Sequence, residues 1–171
     1  MEIDNLLKEA REIWGNKGTR SKVGYVNIKK TMQKVGADLG GELAGHFFFK
    51  DIGYEQSTIL VMLKVLKIVV EKNKSLADLI KSLNKYFNSG EINTEIESSR
   101  ASMAIFQRLR EKYKDGKTDD LDGITVEYPN WWFNLRSSNT EPLVRLVVEA
   151  DTKELMEEKV KELTELIKTG A

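Results

Sequence analysis

The sequence predicts an α/β unit with a partial mixed sheet, followed by a small α+β unit in which two helices cover a sheet. Helical and strand-like periodicities alternate through the first half, whereas the second half reads as strand, helix, three strands and helix. Turn residues at Asn88-Ser89-Gly90 coincide with a change in charge. Residues 1–88 hold 15 Lys/Arg and 10 Asp/Glu (+5), and residues 89–171 hold 12 and 17 (−5). We therefore predict two domains, residues 1–88 and residues 89–171.

The first domain begins with helical spacing in "NLLKEAREIW", and Gly15 and Gly18 end this helix. The stretch "TRSKVGY" predicts a short strand that breaks into a turn at Gly24, and a helix follows near Ile28–Val35. "ADLGGELAGHFFF" then predicts a strand, a polar loop and a second strand.

The most apolar run of the chain is "TILVMLKVLKIVV". It has 13 residues and contains two lysines, so it is too short and too charged to span a bilayer. We predict a buried core helix that is capped by Ser57 and runs to about Val70. A further helix, "LADLIKSLNKYF", follows Ser75, which forms a capping-box-like start with Asp78.

In the second domain, "INTEIES" alternates as a strand, and Ser98 or Ser99 caps the helix "ASMAIFQRLREKY". "GITVEY" and "WWFNL" flank Pro129-Asn130 and predict a hairpin, and "LVRLVVEA" predicts a further strand. Asp151 with Glu154 predicts the start of the last helix. The apolar face of that helix contains Leu155, Met156, Val160, Leu163, Leu166 and Ile167.

The clearest functional signal is the donor-rich stretch "RSSNT", which begins at Arg136. Arginine binds phosphate through a bidentate fork of N–H groups, and a loop between strands adds backbone N–H donors. The stretch holds no strong nucleophile or base, so it is typical of an anion clamp. A solvated serine/asparagine turn is the alternative on turn chemistry alone. The residues predicted to hold the anion are Arg136, Ser138, Asn139, Thr140 and, in line with Leu143 and Val147 on the following strand, Arg145.

A second polar loop is "GGELAGH", whose three glycines let the backbone approach a ligand closely. Glu42 and His46 bracket it with an acceptor and a group that donates or accepts, which suits sugar hydroxyls. A structural histidine is the alternative for His46, and one histidine without cysteine does not make a zinc site. Nearby, "SKVGY" places Lys22 beside Gly24 as a second phosphate contact, although lysines usually lie on solvated faces.

Together these loops resemble those of the α-D-phosphohexomutase superfamily, the phosphomannomutase/phosphoglucomutase enzymes. The C-terminal domain of that family carries a phosphate-binding loop R-x-S-N-T-E-P, which matches Arg136 to Pro142. Its third domain carries a sugar-specificity loop G-E-x-S-G-H, which matches Gly41 to His46 with Ala44 in place of the serine. A lysine-containing turn of the same domain matches "SKVGY". The resemblance covers essentially the whole chain and implies part of domain 3 over residues 1–88 and domain 4 over residues 89–171.

The resemblance implies an enzyme that moves a phosphoryl group between O1 and O6 of mannose or glucose phosphate. In that enzyme the "RSSNT" loop and Arg145 would hold phosphate. The implied sugar-binding set is Lys22, Gly24, Tyr25, Glu42, Ala44 and His46. The family's phosphoserine loop (T-A-S-H-N-P-like) and magnesium loop (D-G-D-x-D-R type) do not occur in these 171 residues. We therefore expect no catalytic residue, metal ligand or cofactor in this chain, magnesium in the full-length enzyme, and no mutase activity of the chain by itself.

The alternative function is a stand-alone, non-catalytic phosphosugar-binding or regulatory module. The expected partners are a hexose phosphate and the N-terminal mutase domains, and uncovered apolar surface of a partial domain 3 favours self-association. The formal net charge of zero speaks against nucleic acid and membrane surfaces as partners. The absence of cysteine and of a signal-peptide core favours the cytoplasm.

Overall fold

The computed structural model describes residues 18–42, 44–81, 85–96, 98–138 and 140–169, without the side chains of residues 99 and 100. They form two compact units, of which one is Thr19–Asn84 and the other is Lys85–Ala171 together with Gly18. The helix predicted over "NLLKEAREIW" lies outside the described residues. Within the described ranges, no helix combines the length and the hydrophobicity that crossing a bilayer requires.

The N-terminal unit contains a three-stranded antiparallel sheet in the order β1-β2-β3. Its elements are α1 (Tyr25–Val35), β1 (Leu39–Gly41), β2 (Phe47–Phe49), β3 (Glu55–Gln56), α2 (Thr58–Lys72) and α3 (Leu76–Lys81), with a 3-10 turn at Lys50–Ile52 before β3. Ile28 and Met32 of α1 pack against Phe48 of β2 and form the core of this unit. The structure thereby confirms the predicted α1 helix and the strand, loop and strand that follow it.

Both predicted helix starts in this unit are confirmed. The Ser57 hydroxyl accepts from the Leu60 N–H at 3.2 Å, as an N-cap does. The Ser75 hydroxyl accepts from the Asp78 N–H at 3.1 Å and donates to the Asp78 carboxylate at 2.6 Å. The strand predicted over "TRSKVGY" is wrong. Residues 18–22 have no regular secondary structure, and Gly24 then leads directly into α1.

Helix α2 differs from its prediction as a buried core helix, because none of its residues is buried. The small core of the described unit lies between α1 and β2, so α1 rather than α2 covers the sheet at this point. Several apolar side chains of α2 are half-buried, and others remain in solvent, with Ile59 69% and Val70 77% exposed.

The C-terminal unit is a six-stranded antiparallel sheet with two helices. Its elements are β4 (Phe87–Asn88), β5 (Ile92–Glu95), α4 (Ser99–Lys112), β6 (Lys117–Asp119), β7 (Ile124–Glu127), β8 (Trp131–Ser137), β9 (Leu143–Ala150) and α5 (Lys153–Lys168). The strand order is β4-β9-β8-β7-β6, and β5 also pairs with β9. The predicted class, an α/β unit followed by an α+β unit, is confirmed.

Strand β4 replaces the end of a predicted helix. The helix that begins at Leu76 ends at Lys81, and Phe87 pairs with Ala150 of β9. Phe87 and Asn88 form main-chain hydrogen bonds with the edge of β9. This pairing with a distant strand overrides the helical preference of the local sequence, so these two residues are in a strand. The C-terminal unit consequently begins at Lys85, ahead of the predicted turn at Asn88-Ser89-Gly90.

The two faces of β8 and β9 have different environments. On one face, Phe133, Leu135, Val144, Leu146 and Val148 are at most 1% exposed and contact the helices. Side chains two residues apart share a face, so the intervening positions of both strands point away from this core. The helices supply the other side of the core, and the predicted apolar face of α5 is confirmed.

One hydrogen bond identifies the N-cap residue of each helix of the C-terminal unit, α4 and α5. Ser98 rather than Ser99 caps α4, because its hydroxyl accepts from the Ala101 N–H at 3.2 Å. The predicted cap of α5 at Asp151 is wrong, because the Thr152 hydroxyl accepts from the Leu155 N–H at 3.2 Å. Strand β6 was not predicted, and it pairs with β7 beyond the predicted hairpin.

Glu162 of α5 joins the two helices at one point. Its carboxylate lies 2.7 Å from Nζ of Lys112 and 2.9 Å from Nζ of Lys159, and it accepts from the Tyr113 hydroxyl at 3.0 Å. Burial by itself raises the pKa of this carboxyl. The three hydrogen bonds outweigh burial and lower the pKa of Glu162 to about 2.

We expect Glu162→Gln to reduce the acid sensitivity of the C-terminal unit. The pKa of Glu162 lies below its ordinary value of 4.5, so its stabilisation is complete above that value and is lost as the pH falls towards 2. Glutamine should lower the free energy of unfolding by about 1 kcal/mol at pH 7, after allowance for solvent screening, and should flatten the decline between pH 4.5 and 2. Urea unfolding at several pH values measures this. Glu157→Gln, at an exposed position of the same helix, is the control, and equal pH slopes in both variants would contradict the assignment.

Candidate functional site

Arg136 and Arg145 face each other across the β8–β9 ladder. The register pairs them directly, near the end of the hairpin where the two strands meet the β8–β9 loop, residues 138–142. Both lie on the face opposite the core, as the alternation of the strands predicts. Their side chains are only 16% and 24% exposed, so the two cations are partly shielded from water.

One carboxylate connects the two arginines. Arg136 Nη2 donates to Oε2 of Glu91 at 2.8 Å, and Arg145 Nη1 donates to Oε1 at 2.9 Å. Glu91 precedes β5, which pairs with β9 and thereby carries the glutamate to this face of the sheet. Arg145 also contacts Glu141 of the β8–β9 loop through Nη2 at 3.3 Å.

The hydroxyl of Ser138 is the centre of the β8–β9 loop. It accepts from the N–H groups of Thr140 and Glu141 at 3.4 and 3.3 Å, and Arg145 Nη2 lies 3.5 Å away. These distances are long for hydrogen bonds, so the two N–H groups converge on one point without a strong acceptor. The Ser138 N–H donates to the Leu143 carbonyl at 2.9 Å and closes the loop. Asn139 lies outside the described residues.

Two contacts attach the ends of the β8–β9 loop to the rest of the C-terminal unit. The Ser137 hydroxyl lies 2.9 Å from that of Ser102, which is buried on α4. The Ile96 N–H donates to the Pro142 carbonyl at 2.9 Å. These contacts hold the backbone at both ends of the loop, so its donors keep a defined direction.

This arrangement has the chemistry of an anion site. It combines two guanidinium groups with two converging N–H groups, and these are the donors that oxyanions accept from. The buried Arg145 Nε has no hydrogen-bond partner among the described residues. The described residues of the loop offer hydroxyls and one carboxylate, that of Glu141, which Arg145 contacts at 3.3 Å.

In the N-terminal unit, Glu42 and His46 lie at the two ends of the β1–β2 loop, residues 42–46. The Glu42 N–H donates to the His46 carbonyl, and the Gly45 N–H donates to the Glu42 carbonyl, both at 3.0 Å. Gly45 has φ +82°, a conformation that favours glycine. Ala44 is exposed at the tip. His46 Nδ1 lies 3.8 Å from Glu42 Oε1, beyond hydrogen-bonding distance.

The other predicted residues of this unit lie at the start of α1. Gly24 has φ +105° and is the N-cap of α1. Lys22 is exposed. The Tyr25 hydroxyl donates to Oε2 of Glu55 at 2.5 Å, and Lys29 also contacts this carboxylate. The hydrogen bonds from Lys29 and Tyr25 lower the pKa of Glu55, so the Tyr25 hydroxyl already has an ionised acceptor within the unit.

A metal site of the kind that the resemblance implies for a full-length enzyme needs several carboxylates around one point. Within the described ranges, no three His, Cys, Asp or Glu side chains lie close enough together to hold a metal ion. The described residues therefore do not fit a magnesium site.

Sequence reasoning missed Glu91 and Glu141, the two carboxylates that contact the arginines. Glu141 was visible as the residue that follows Thr140, but its direction depends on the loop. Glu91 is 45 residues from Arg136 in the chain, and only the pairing of β5 with β9 brings it near. An acidic residue directly after the Ser89-Gly90 turn was the one available signal.

The chain matches two models of one protein family along most of its length. Residues 3–86 match the phosphoglucomutase/phosphomannomutase α/β/α domain III. Residues 91–166 match the phosphoglucomutase/phosphomannomutase C-terminal domain, domain IV.

Individual relatives give the same result. A phosphomannomutase of Methanocaldococcus jannaschii is 43% identical over 167 residues, which cover 98% of this chain and 36% of that protein. A phosphomannomutase of Escherichia coli is 40% identical over 159 residues, which cover 90% of this chain and 34% of that protein. A solved structure of a phosphoglucomutase/phosphomannomutase family protein from Burkholderia thailandensis has a TM-score of 0.78 at 28% identity and covers 97% of this chain and 35% of that one. The chain spans about a third of the length of these proteins.

We expect Gly123→Ala to displace the backbone of β8 at Leu135 and Arg136, next to the anion site. Gly123 has φ +76°, and an added Cβ would lie 2.2 Å from the Leu135 carbonyl oxygen and 2.7 Å from the Arg136 Cα. The backbone conformation and this clash together should cost about 2 kcal/mol or more of the free energy of unfolding, measured in urea.

Gly90→Ala is the matched control in the same unit. Gly90 has φ +68°, but nothing lies within 4 Å of an added Cβ. Gly90→Ala should lower the free energy of unfolding by about 1 kcal/mol, because only the backbone conformation is unfavourable for alanine. Similar losses in the two variants would show that the close approach of Gly123 to β8 is unimportant.

Proposed function

Because the chain belongs to the phosphoglucomutase/phosphomannomutase family, we propose that it is the substrate-holding part of an enzyme that moves a phosphoryl group between O1 and O6 of mannose or glucose phosphate. The observation that carries this proposal is the pair of arginines beside the β8–β9 loop. A phosphate that is not being transferred must be held while the chemistry occurs at the other end of the sugar. A donor-rich site without a catalytic group suits this task.

In the proposed complex, phosphate lies over the β8–β9 loop. Arg136 donates in bidentate fashion, and the N–H groups of Thr140 and Glu141 exchange their weak contact with Ser138 for a phosphate oxygen. The hydroxyls of Ser138 and Thr140 add neutral hydrogen bonds, and Asn139 adds an amide. Arg145 adds charge at the base of the site and orients Ser138.

We assign the sugar hydroxyls to the β1–β2 loop. The Glu42 carboxylate, whose side chain is 10% exposed, accepts from two neighbouring hydroxyls, and His46 donates or accepts beside it. Ala44 supplies only its backbone. Lys22 extends towards a second phosphate, with Gly24 and Tyr25 shaping the same surface.

The chemical step requires parts that these 171 residues do not contain. We propose that the phosphoserine and magnesium loops belong to the N-terminal domains of a longer enzyme, and that this chain alone has no mutase activity. The stand-alone module is not favoured, because proteins named phosphomannomutase match 90–98% of this chain. A cytoplasmic location stays a prediction.

A second proposal concerns self-association through α2. Ile59, Leu63, Leu66 and Val70 are 69%, 53%, 52% and 77% exposed. Their spacing places them along one side of the helix, and contiguous apolar surface of this kind favours association.

We expect inorganic phosphate to perturb the amide signals of residues 136–140, with a dissociation constant near millimolar, equivalent to about 4 kcal/mol. Arg136→Ala should remove most of this binding, because charge-assisted hydrogen bonds are the strong ones. Ser138→Ala should cost about 1 kcal/mol, the usual contribution of one neutral hydrogen bond.

Two variants serve as controls for the phosphate titration. Arg108→Ala removes an exposed arginine of α4, the helix that packs on the face of the sheet opposite Arg136, and should leave binding unchanged. Glu42→Ala should leave inorganic phosphate binding unchanged and weaken only a preference for sugar phosphates. If phosphate shifts the β1–β2 loop and not residues 136–140, the assignment of the phosphate site is wrong.

For self-association, we expect light scattering to report dimers or larger species that dissociate on dilution. Leu63→Glu combined with Leu66→Glu should shift the protein to monomer, because it places two charges in the apolar stripe of α2. Met103→Glu, at an exposed apolar position of α4, should not. A monomer across the concentration range in the unmodified protein would rule out this contact.

A further inference from the structure

The arrangement of Arg136 and Arg145 poses an electrostatic problem. Like charges at directly opposed positions of an antiparallel pair repel, and partial burial weakens the screening by water. The two side chains are 16% and 24% exposed. Without an anion between them, the guanidinium groups would be expected to separate and to take different rotamers.

Glu91 supplies that anion within the chain. It accepts from Arg136 with one carboxylate oxygen, at 2.8 Å, and from Arg145 with the other, at 2.9 Å. Both guanidinium groups therefore contact the same carboxylate. Its own side chain is 29% exposed. These three groups have a net charge of +1, and the exposed carboxylate of Glu141, which also contacts Arg145, brings the charged groups of the site to a net charge of zero.

The backbone around Glu91 is fixed on both sides. Ser89 exchanges two hydrogen bonds with Val148, from its N–H to the carbonyl at 2.9 Å and from the Val148 N–H to its hydroxyl at 2.9 Å. Ile92 pairs with Leu146 on the other side. Glu91 is therefore held against β9 by main-chain contacts and does not depend on the arginines for its place.

We propose that Glu91 is a positioning residue for the phosphate site. It holds Arg136 through one N–H of Nη2. Among the described residues, this leaves the second N–H of Nη2 and its parallel neighbour on the guanidinium for a phosphate oxygen pair. It holds Arg145 through Nη1, which directs Nη2 to Ser138 and Glu141 and so orders the β8–β9 loop. The inference rests on the proposed function, because it names the residue that prepares that same site.

The opposite role would be a competitor. If the Glu91 carboxylate simply occupied the place of phosphate, its removal would raise the charge of the site and strengthen phosphate binding. The two roles therefore predict opposite signs for the same substitution.

The experiment titrates inorganic phosphate into the full chain and follows the amide signals of residues 136–140 and the Nε–Hε signal of Arg136. The variants are Glu91→Ala, Glu91→Gln, Arg136→Ala and the double variant Glu91→Ala with Arg136→Ala. Glu95→Ala, at an exposed position of β5, is the matched control. Urea unfolding of each variant verifies that the unit is folded, and Glu91→Gln retains the size of the side chain if alanine destabilises the fold.

We expect Glu91→Ala to weaken phosphate binding about tenfold, the order of coupling measured between contacting charged residues. Glu91→Gln should weaken it less, because one acceptor oxygen remains, and Glu95→Ala should not change it. The Nε–Hε signal of Arg136 should broaden or disappear in Glu91→Ala before any phosphate is added. In the Arg136→Ala background, Glu91→Ala should have little further effect.

Unchanged or tighter phosphate binding in Glu91→Ala would overturn the positioning role. The same tenfold loss in the presence and absence of Arg136 would also overturn it, because Glu91 would then act on general stability. The two proposals fail separately. If Arg136→Ala weakens binding and Glu91→Ala does not, only the role of Glu91 is lost. If phosphate does not bind residues 136–140 at all, the proposed function is lost and the inference with it.

Discussion

The antiparallel ladder between β8 and β9 is the constraint on which the phosphate site depends. It pairs seven residues of each strand, from Trp131 with Ala150 to Ser137 with Val144. One face of the ladder is buried against the helices and the other carries the arginines. A slip of one residue would move Arg136 into the core and Leu135 into solvent, which the burial of Phe133 and Leu135 makes costly. The packing of the core therefore fixes the direction of the charges.

The two units hold their functional loops in different ways. In the C-terminal unit, a continuous core of aliphatic and aromatic side chains supports the sheet, and charged contacts organise the face above it. In the N-terminal unit, three buried residues between α1 and β2 form the central cluster. The β1–β2 loop is closed chiefly by its own main-chain hydrogen bonds. Its geometry is consequently local, whereas that of the β8–β9 loop depends on residues far apart in the chain.

The proposed division of labour follows from this difference. Phosphate carries most of the charge of a hexose phosphate, and it is assigned to the unit that can hold two cations close together. Hydroxyl groups are neutral and need well-placed acceptors, which a short loop with one carboxylate provides. The chain belongs to the phosphoglucomutase/phosphomannomutase family and spans about a third of the length of these relatives. Both assignments, and that of phosphoryl transfer to other segments of a longer enzyme, are proposals.

The sequence by itself determined the class of both units, the hairpin around Pro129-Asn130, the buried face of α5 and the caps at Ser57 and Ser75, because these depend on local periodicity and on turn and capping chemistry. The motif from Arg136 to Pro142 also identified the family. Only the tertiary structure decided the rest. It turned the end of a predicted helix into β4, left α2 exposed and placed Glu91 between the two arginines. Each of these outcomes depends on which distant strand or helix is the neighbour, and periodicity within one segment holds no information about that neighbour.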